Sequence, residues 1–133
     1  MTRLAMAVLL TAAVWAGGSG VGATQPTPAS QGVYTSAQAR RGDAAYADIC
    51  IACHSRARFR GEDFATKWAD KSLSVLYKAV KSMPLDQPNS LDPQDYADLV
   101  AYLLSVNAYP AGTQELPPSD EAVAAIFLDA RAP

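Results

Sequence analysis

The feature that most limits what this chain can become is five residues long: Cys50-Ile51-Ala52-Cys53-His54. It holds both cysteines and the single histidine of the 133 residues. Two thiols this close cannot staple a fold, because a disulfide stabilises chiefly by restricting a long loop of the unfolded chain. One helical turn apart, they can instead add to the two vinyl groups of a haem, which leaves the following imidazole under the iron. The spacing is the signature of c-type haem attachment. Two other chemistries use these residue types. A C-x-x-C pair is also a thiol–disulfide motif, but it then needs a strand–helix setting that the flanking sequence lacks. Two Cys and one His leave a structural zinc site one ligand short.

The N-terminus reads as an export signal over residues 1–23. Arg3 supplies the positive start, and Leu4 to Ala16 is an apolar run shorter than the roughly 20 residues of a membrane span. Gly17-Gly18-Ser19-Gly20 breaks the run, and Val21-Gly22-Ala23 offers small residues for cleavage after Ala23. An uncleaved anchor is the competing reading. The expected mature chain starts at Thr24, has no membrane span and works in the periplasm. Composition, 50% apolar and 18% charged, suits one small globular domain. A chain this short buries a limited core, and a covalent prosthetic group would supply part of the missing interior.

Residues 24–33 carry Pro, Ser and Gly without an apolar period and are expected as a flexible leader. Ser36 is a candidate N-cap for a helix over about Ala37 to Cys50, and its mid-helix Gly42 suggests another backbone crossing close by. Leu73, Leu76, Tyr77 and Val80 predict a second helix, capped by Asp70 or Ser72 and ended near Ser82 by Met83-Pro84. Asp92-Pro93 opens a third, with Tyr96, Leu99, Val100, Leu103 and Leu104 as its buried face. In the 110–133 extension Ser119 is a candidate cap for a short segment bearing Val123, Ile126, Phe127 and Leu128. No period-two run is long enough for a sheet, so the expected class is all-α.

A haem iron that carries electrons takes a second axial ligand. With Met1 and Met6 in the signal, Met83 is the one methionine of the expected mature chain. A thioether at a loop next to Pro84 suits that bond, and Met/His ligation raises the reduction potential. Core filling is the commoner fate of a methionine. Lys67, Lys71, Lys78 and Lys81 are alternative ligands that would first have to lose a proton. Trp68 has two readings, an indole N–H bonded to a haem propionate or an ordinary buried aromatic. Tyr77 and Phe59 are expected in the haem-pocket wall. Arg56, Arg58 and Arg60 are candidates to pair with a propionate, at most one of them reaching it, although alternating arginines more often form a solvated edge.

Gly42 and Tyr46 before the Cys50–His54 motif, Met83-Pro84, and Leu99-Val100-Ala101-Tyr102 together resemble a class I cytochrome c over roughly Tyr34 to Asn107. The resemblance implies the all-α cytochrome c fold, three to five helices around one covalent haem c, with the domain at 34–109 and 110–133 packing on it or on a partner. It implies that the first and last helices cross with Gly42 and Tyr46 against Leu99 and Tyr102. In that family a carbonyl, often from a proline soon after the motif, receives the proximal imidazole hydrogen bond. Here Ser55-Arg56-Ala57-Arg58-Phe59-Arg60 holds no proline, so the motif does not say which carbonyl orients His54.

The implied role is an electron carrier rather than an enzyme, exchanging single electrons with a periplasmic dehydrogenase, a membrane oxidase or a bc-type complex. A cytochrome subunit of a dehydrogenase complex is the runner-up, and the stretch Tyr102 to Leu116 is similar to small cytochromes that accompany quinoprotein or sulfur-compound dehydrogenases. A small peroxidase-like haem enzyme is a further alternative, requiring Met83 to be off the iron. Charge is unevenly laid out. From His54 to Met83 there are seven basic residues against three acidic, whereas from Pro84 to Ala130 there are eight acidic and no basic. Such a dipole would act on encounter rate and register with a redox partner, the alternative being a solvated surface. An acidic chain gives no support to nucleic-acid binding.

Overall fold

The computed structural model describes residues 25–130; the expected export segment 1–23 and its cleavage point lie outside the described residues. Four helices carry the domain. They are α1 (Ser36–Ala45), α2 (Gly61–Trp68), α3 (Leu73–Lys81) and α4 (Pro93–Val106). The class is all-α, as expected, and no described helix is long and apolar enough to cross a membrane.

α1 starts one residue earlier than its expected bounds, because the Thr35 hydroxyl, not that of Ser36, accepts the Gln38 amide at 3.1 Å. At its far end the helix widens into a π turn over Tyr46–Cys50, with the Ile51 N–H bonded to the Tyr46 carbonyl at 3.1 Å. Such bulges cluster at functional sites because they re-aim the side chains that follow. Here they lead directly into the cysteine motif. α3 is capped by Ser72, one of its two candidates, and α4 by Asp92 with Pro93 at the first helical position.

α1 packs on α4 in the most extensive helix interface of the domain. Gly42 makes the approach possible, since a Cβ there would lie 1.9 Å from the Asp98 carbonyl oxygen and 2.9 Å from the Tyr102 Cβ. The close partner is thus the Asp98 backbone, one residue before the expected Leu99. Tyr46 meets Tyr102 as expected, with ring centroids 5.1 Å apart. Arg41 locks the crossing from outside: its guanidinium grips the buried Asp98 carboxylate at 2.7 and 2.9 Å and reaches Glu115 at 2.9 Å.

Helix α2 was not among the expected elements. It is eight residues long, has no side-chain cap and enters through Gly61 at φ +70°. Tertiary contacts hold it instead. Phe64 and Trp68 point inward one turn apart, and the buried Asn107 side chain accepts the Gly61 N–H and donates to the Phe59 carbonyl.

The two ends of the described chain fold onto the helices. Thr27–Pro28 (β1) and Ile126–Phe127 (β2) form a two-residue parallel pair, the one sheet among the described residues. From Thr27 onward the segment expected as a flexible leader is therefore attached, with Ala29 fully buried. Ser119 caps a turn, not a helix, taking the Ala122 N–H at 3.2 Å, and Val123 and Leu128 are fully buried. The Gln38 amide, itself fully buried, pairs with both backbone groups of Leu116 at 3.0 and 2.7 Å. The Ser72 hydroxyl donates to the Ala124 carbonyl, and the Asp70 N–H to Leu128 at 2.7 Å. The extension thus packs on its own domain and ties the α2–α3 corner to α1.

Candidate haem site

A cavity of about 540 Å³ lies between the end of α1, α2, α3 and α4. One wall is the motif itself: Cys50, Cys53 and His54 all line it. Cys53 is exposed and Cys50 half-buried, and burial pushes the Cys50 thiol up from its ordinary value. The His54 N–H closes the motif turn on the Cys50 carbonyl at 2.9 Å, directly after the π turn. The His54 ring packs edge-on against Phe59, centroids 5.2 Å apart.

A second part of the lining comes from α3 and the loop beyond it. Leu76, Ala79, Val80 and Met83 line the cavity, followed by Pro84 and Leu85. Leu76, Ala79 and Val80 share one row of α3 because they fall at i, i+3 and i+4, and Met83 follows just past the helix end at Lys81. Leu73 and Tyr77 form the neighbouring row. Tyr77 is consequently buried but does not line the cavity, and its hydroxyl donates to the Pro93 carbonyl at 3.0 Å. The expectation of Tyr77 in the pocket wall is corrected on that ground: the apolar stripe is wide enough to face two ways.

Trp68 does line the cavity, 8% exposed, with Lys67 over its ring at 4.9 Å. The three arginines do not. Arg56 turns to the far side, pairs with Asp43, and donates to the Tyr102 hydroxyl at 2.8 Å while lying over both the Tyr46 and Tyr102 rings. With Arg40 and Arg60 it lines a shallow surface depression behind the α1–α4 crossing. The floor of the main cavity is Leu99 and Leu103 of α4, with Tyr46, Ile49 and Phe64 around them.

The missing proline after the motif has a structural counterpart. The Tyr46 hydroxyl lies 3.1 Å from the His54 carbonyl and 3.2 Å from the Ser55 carbonyl, so the backbone of the motif's last residues is held from α1. On the other wall the Tyr96 hydroxyl donates to the Met83 carbonyl at 3.2 Å and accepts the Leu91 N–H at 3.2 Å. Both tyrosines were legible as core residues. Their hydroxyl contacts were not, since nothing in a periodic pattern tells a buried Tyr from a buried Phe.

The opposed charges of the sequence are partly spent inside the fold. Asp98 and Glu115 are committed to Arg41, and Asp120 lies 3.7 Å from Lys81. Among the described residues no cluster of three His, Cys, Asp or Glu side chains is placed to hold a metal ion.

The donor set fits a covalent haem. Two thiols, an imidazole and a thioether line one apolar cavity whose volume is within the range of a bound cofactor. The family model described as cytochrome C oxidase, cbb3-type, subunit III matches residues 37–103, from the start of α1 to Leu103 on the cavity floor. Neither a curated protein nor a solved structure matches the chain. The matched segment is half of the sequence and contains the whole motif, Met83 and the α1–α4 crossing, so the chain belongs to this family and is a mono-haem c-type cytochrome carrying covalently attached haem c.

Proposed function

We propose that this cytochrome is a periplasmic one-electron carrier in which His54 and Met83 hold the iron from opposite sides. The observation that carries the reading is that both side chains line the same apolar cavity as the two cysteines. When bound, haem supplies the Fe(II)/Fe(III) couple, and the membership of the chain in a cytochrome family makes electron transfer its chemistry. The protein's part is to fill both axial positions, so that substrate finds no open site, and to surround the iron with apolar groups that set its potential. Leu76, Val80, Leu99 and Leu103 supply that surrounding. The Trp68 N–H, which has no partner among the described residues, is the donor suited to a propionate.

The partner class is a membrane oxidase or a periplasmic dehydrogenase. The family description names an oxidase subunit, which favours the oxidase side and a role as a subunit or its close electron donor. Protein made in a periplasm competent for haem attachment is expected to show a sharp reduced α band that survives acid–organic extraction. Its oxidised form is expected to show a sulfur-to-iron absorption band that Met83→Ala removes. Rapid carbon monoxide binding to the reduced wild type, with no sulfur-to-iron band, would instead support the peroxidase-like alternative.

A further inference from the structure

We propose that Tyr46 and Tyr96 are a matched pair of positioning residues, each holding by its phenol hydroxyl the backbone of one of the two axial-ligand residues. The proposal rests on the His54/Met83 reading of the iron site. Both phenols are buried, 3% and 2% exposed, and both belong to the α1–α4 pair, Tyr46 at the π turn that continues α1 and Tyr96 in the first turn of α4. Their hydroxyls leave the helix pair in different directions. One reaches the carbonyls of His54 and Ser55, the other the carbonyl of Met83.

A buried tyrosine hydroxyl must find a partner, and any carbonyl would satisfy it. The choice of carbonyl is what matters here. Tyr34, Tyr77 and Tyr109 spend theirs on Tyr109, Pro93 and Asp129, away from the cavity. Tyr46 and Tyr96 spend theirs on the backbone at His54 and at Met83, both of which line it. Phenylalanine would fill the same volume at either position, so the hydroxyl oxygen is the part that needs explaining.

The two contacts do different work. Tyr46 shares its one proton between two successive carbonyls, at 3.1 and 3.2 Å, and so restrains the backbone on either side of Ser55. The His54 ring then turns on a backbone restrained by that contact. Tyr96 uses one oxygen as donor to Met83 and acceptor from Leu91, tying both ends of the 83–91 loop at a single point. Release at either end frees Met83 to swing away, which is the motion an incoming ligand needs.

Four holoproteins test this: the wild type, Tyr96→Phe, Tyr46→Phe, and Tyr34→Phe as a buried hydroxyl remote from the cavity. For Tyr96→Phe the oxidised protein is expected to bind imidazole about tenfold more tightly, since losing the bond to a buried carbonyl weakens the hold on Met83 by about that factor. For Tyr46→Phe imidazole affinity is expected to stay within about twofold of the wild type, while the spread of EPR g values of the oxidised form changes as the imidazole plane turns. Tyr34→Phe is expected to lose stability comparably and move neither readout. A measurement on the wild type alone covers a variant that does not fold: the Tyr46 and Tyr96 hydroxyl protons are expected to exchange slowly, and imidazole is expected to speed exchange at Tyr96 only.

A wild type without the sulfur-to-iron band overturns the His54/Met83 reading and the pair with it. A wild type with that band, beside a Tyr96→Phe protein of unchanged imidazole affinity or a Tyr96 hydroxyl indifferent to imidazole, overturns the distal contact alone. Unchanged g values in Tyr46→Phe overturn the proximal one.

Discussion

The two walls of the cavity are built on different terms. The motif wall continues a helix: the π turn feeds Cys50, the His54 N–H closes on Cys50, and Arg56 is layered over the Tyr46 and Tyr102 rings behind it. The Met83 wall leaves a helix. After α3 ends at Lys81 the chain from Leu85 to Ser90 is exposed, pinned by the Asn89 N–H on the Lys81 carbonyl at 2.9 Å and by Tyr96. His54 follows directly on the π turn that continues α1, whereas Met83 stands at the root of a loop. On the proposed His54/Met83 ligation, ligand exchange and local opening are expected on the Met83 side, and loss of the motif side is expected to take the fold with it.

The strongest way to break this contrast is to pry the core wall open. In Gly42→Ala the new Cβ would lie 1.9 Å from the Asp98 carbonyl oxygen, a backbone atom that no rotamer can move aside. The expected loss is about 3 kcal/mol, the upper part of the overpacking range. Urea unfolding of the holoprotein measures it, and a loss under about 1 kcal/mol would show that the crossing yields easily.

Removing the outer lock is a milder attack on the same wall. Arg41→Met leaves the buried Asp98 carboxylate with Gln94 as its remaining side-chain donor, at 2.8 Å. The guanidinium is about half exposed, so the cost falls to about 1–2 kcal/mol, below that of breaking a fully buried pair. The pH profile sharpens the test. Hydrogen bonds from Arg41 hold the Glu115 carboxyl below the usual carboxylate range. A depressed pKa contributes stability that is present above the unfolded value of about 4.5 and is lost as pH falls through the folded one. Thermal melts below pH 4.5 are expected to fall less steeply in Arg41→Met than in the wild type.

How much of each wall was legible follows from how each is made. α4 could be read from Asp92, Pro93 and its apolar spacing because cap, first-turn proline and period are all local. Gly42 announced the crossing, but not that Asp98 would be the residue it meets, since a one-residue difference in register leaves the pattern unchanged. α2 left only Phe64 and Trp68 one turn apart, too little periodicity for an uncapped helix that enters through a left-handed glycine. Tyr77 was read into the pocket because a stripe says which side of a helix is apolar, not how many neighbours share it. The β1–β2 pair joins residues 99 apart in sequence, and nothing in Thr27-Pro28 or Ile126-Phe127 names the other.

A third perturbation acts where α3 and α4 meet behind the Met83 wall. Burial, with Asp120 and Tyr96 nearby, pushes the Tyr77 phenol up from 10.0 to about 12. The raised pKa means that the folded state keeps its proton after the unfolded state has lost it, so stability is intact below pH 10 and declines as pH rises towards 12. Tyr77→Phe removes that decline, and at neutral pH costs about 1 kcal/mol for the lost bond to Pro93. Base titration of thermal stability, variant against wild type, checks both. Parallel curves would mean that Tyr77 titrates alike in the two states.

The smallest effect on stability separates the walls most cleanly. Leu85 is 77% exposed although it borders the cavity, so Leu85→Ser is expected to change global stability by less than about 0.5 kcal/mol. Local opening is another matter. If the Met83 wall is a separate low-stability unit, the Gln87 and Asn89 amides, bonded to the Pro84 and Lys81 carbonyls, exchange with solvent through loop opening, whereas those of Ile51 and His54 wait for the core. A difference of about 3 kcal/mol in opening free energy corresponds to roughly hundredfold faster exchange at the loop, and Leu85→Ser is expected to widen that gap by speeding the loop amides only. Equal rates in the two pairs of amides would mean that both walls open together, and that the exposed loop is as much a part of the core as the motif it faces.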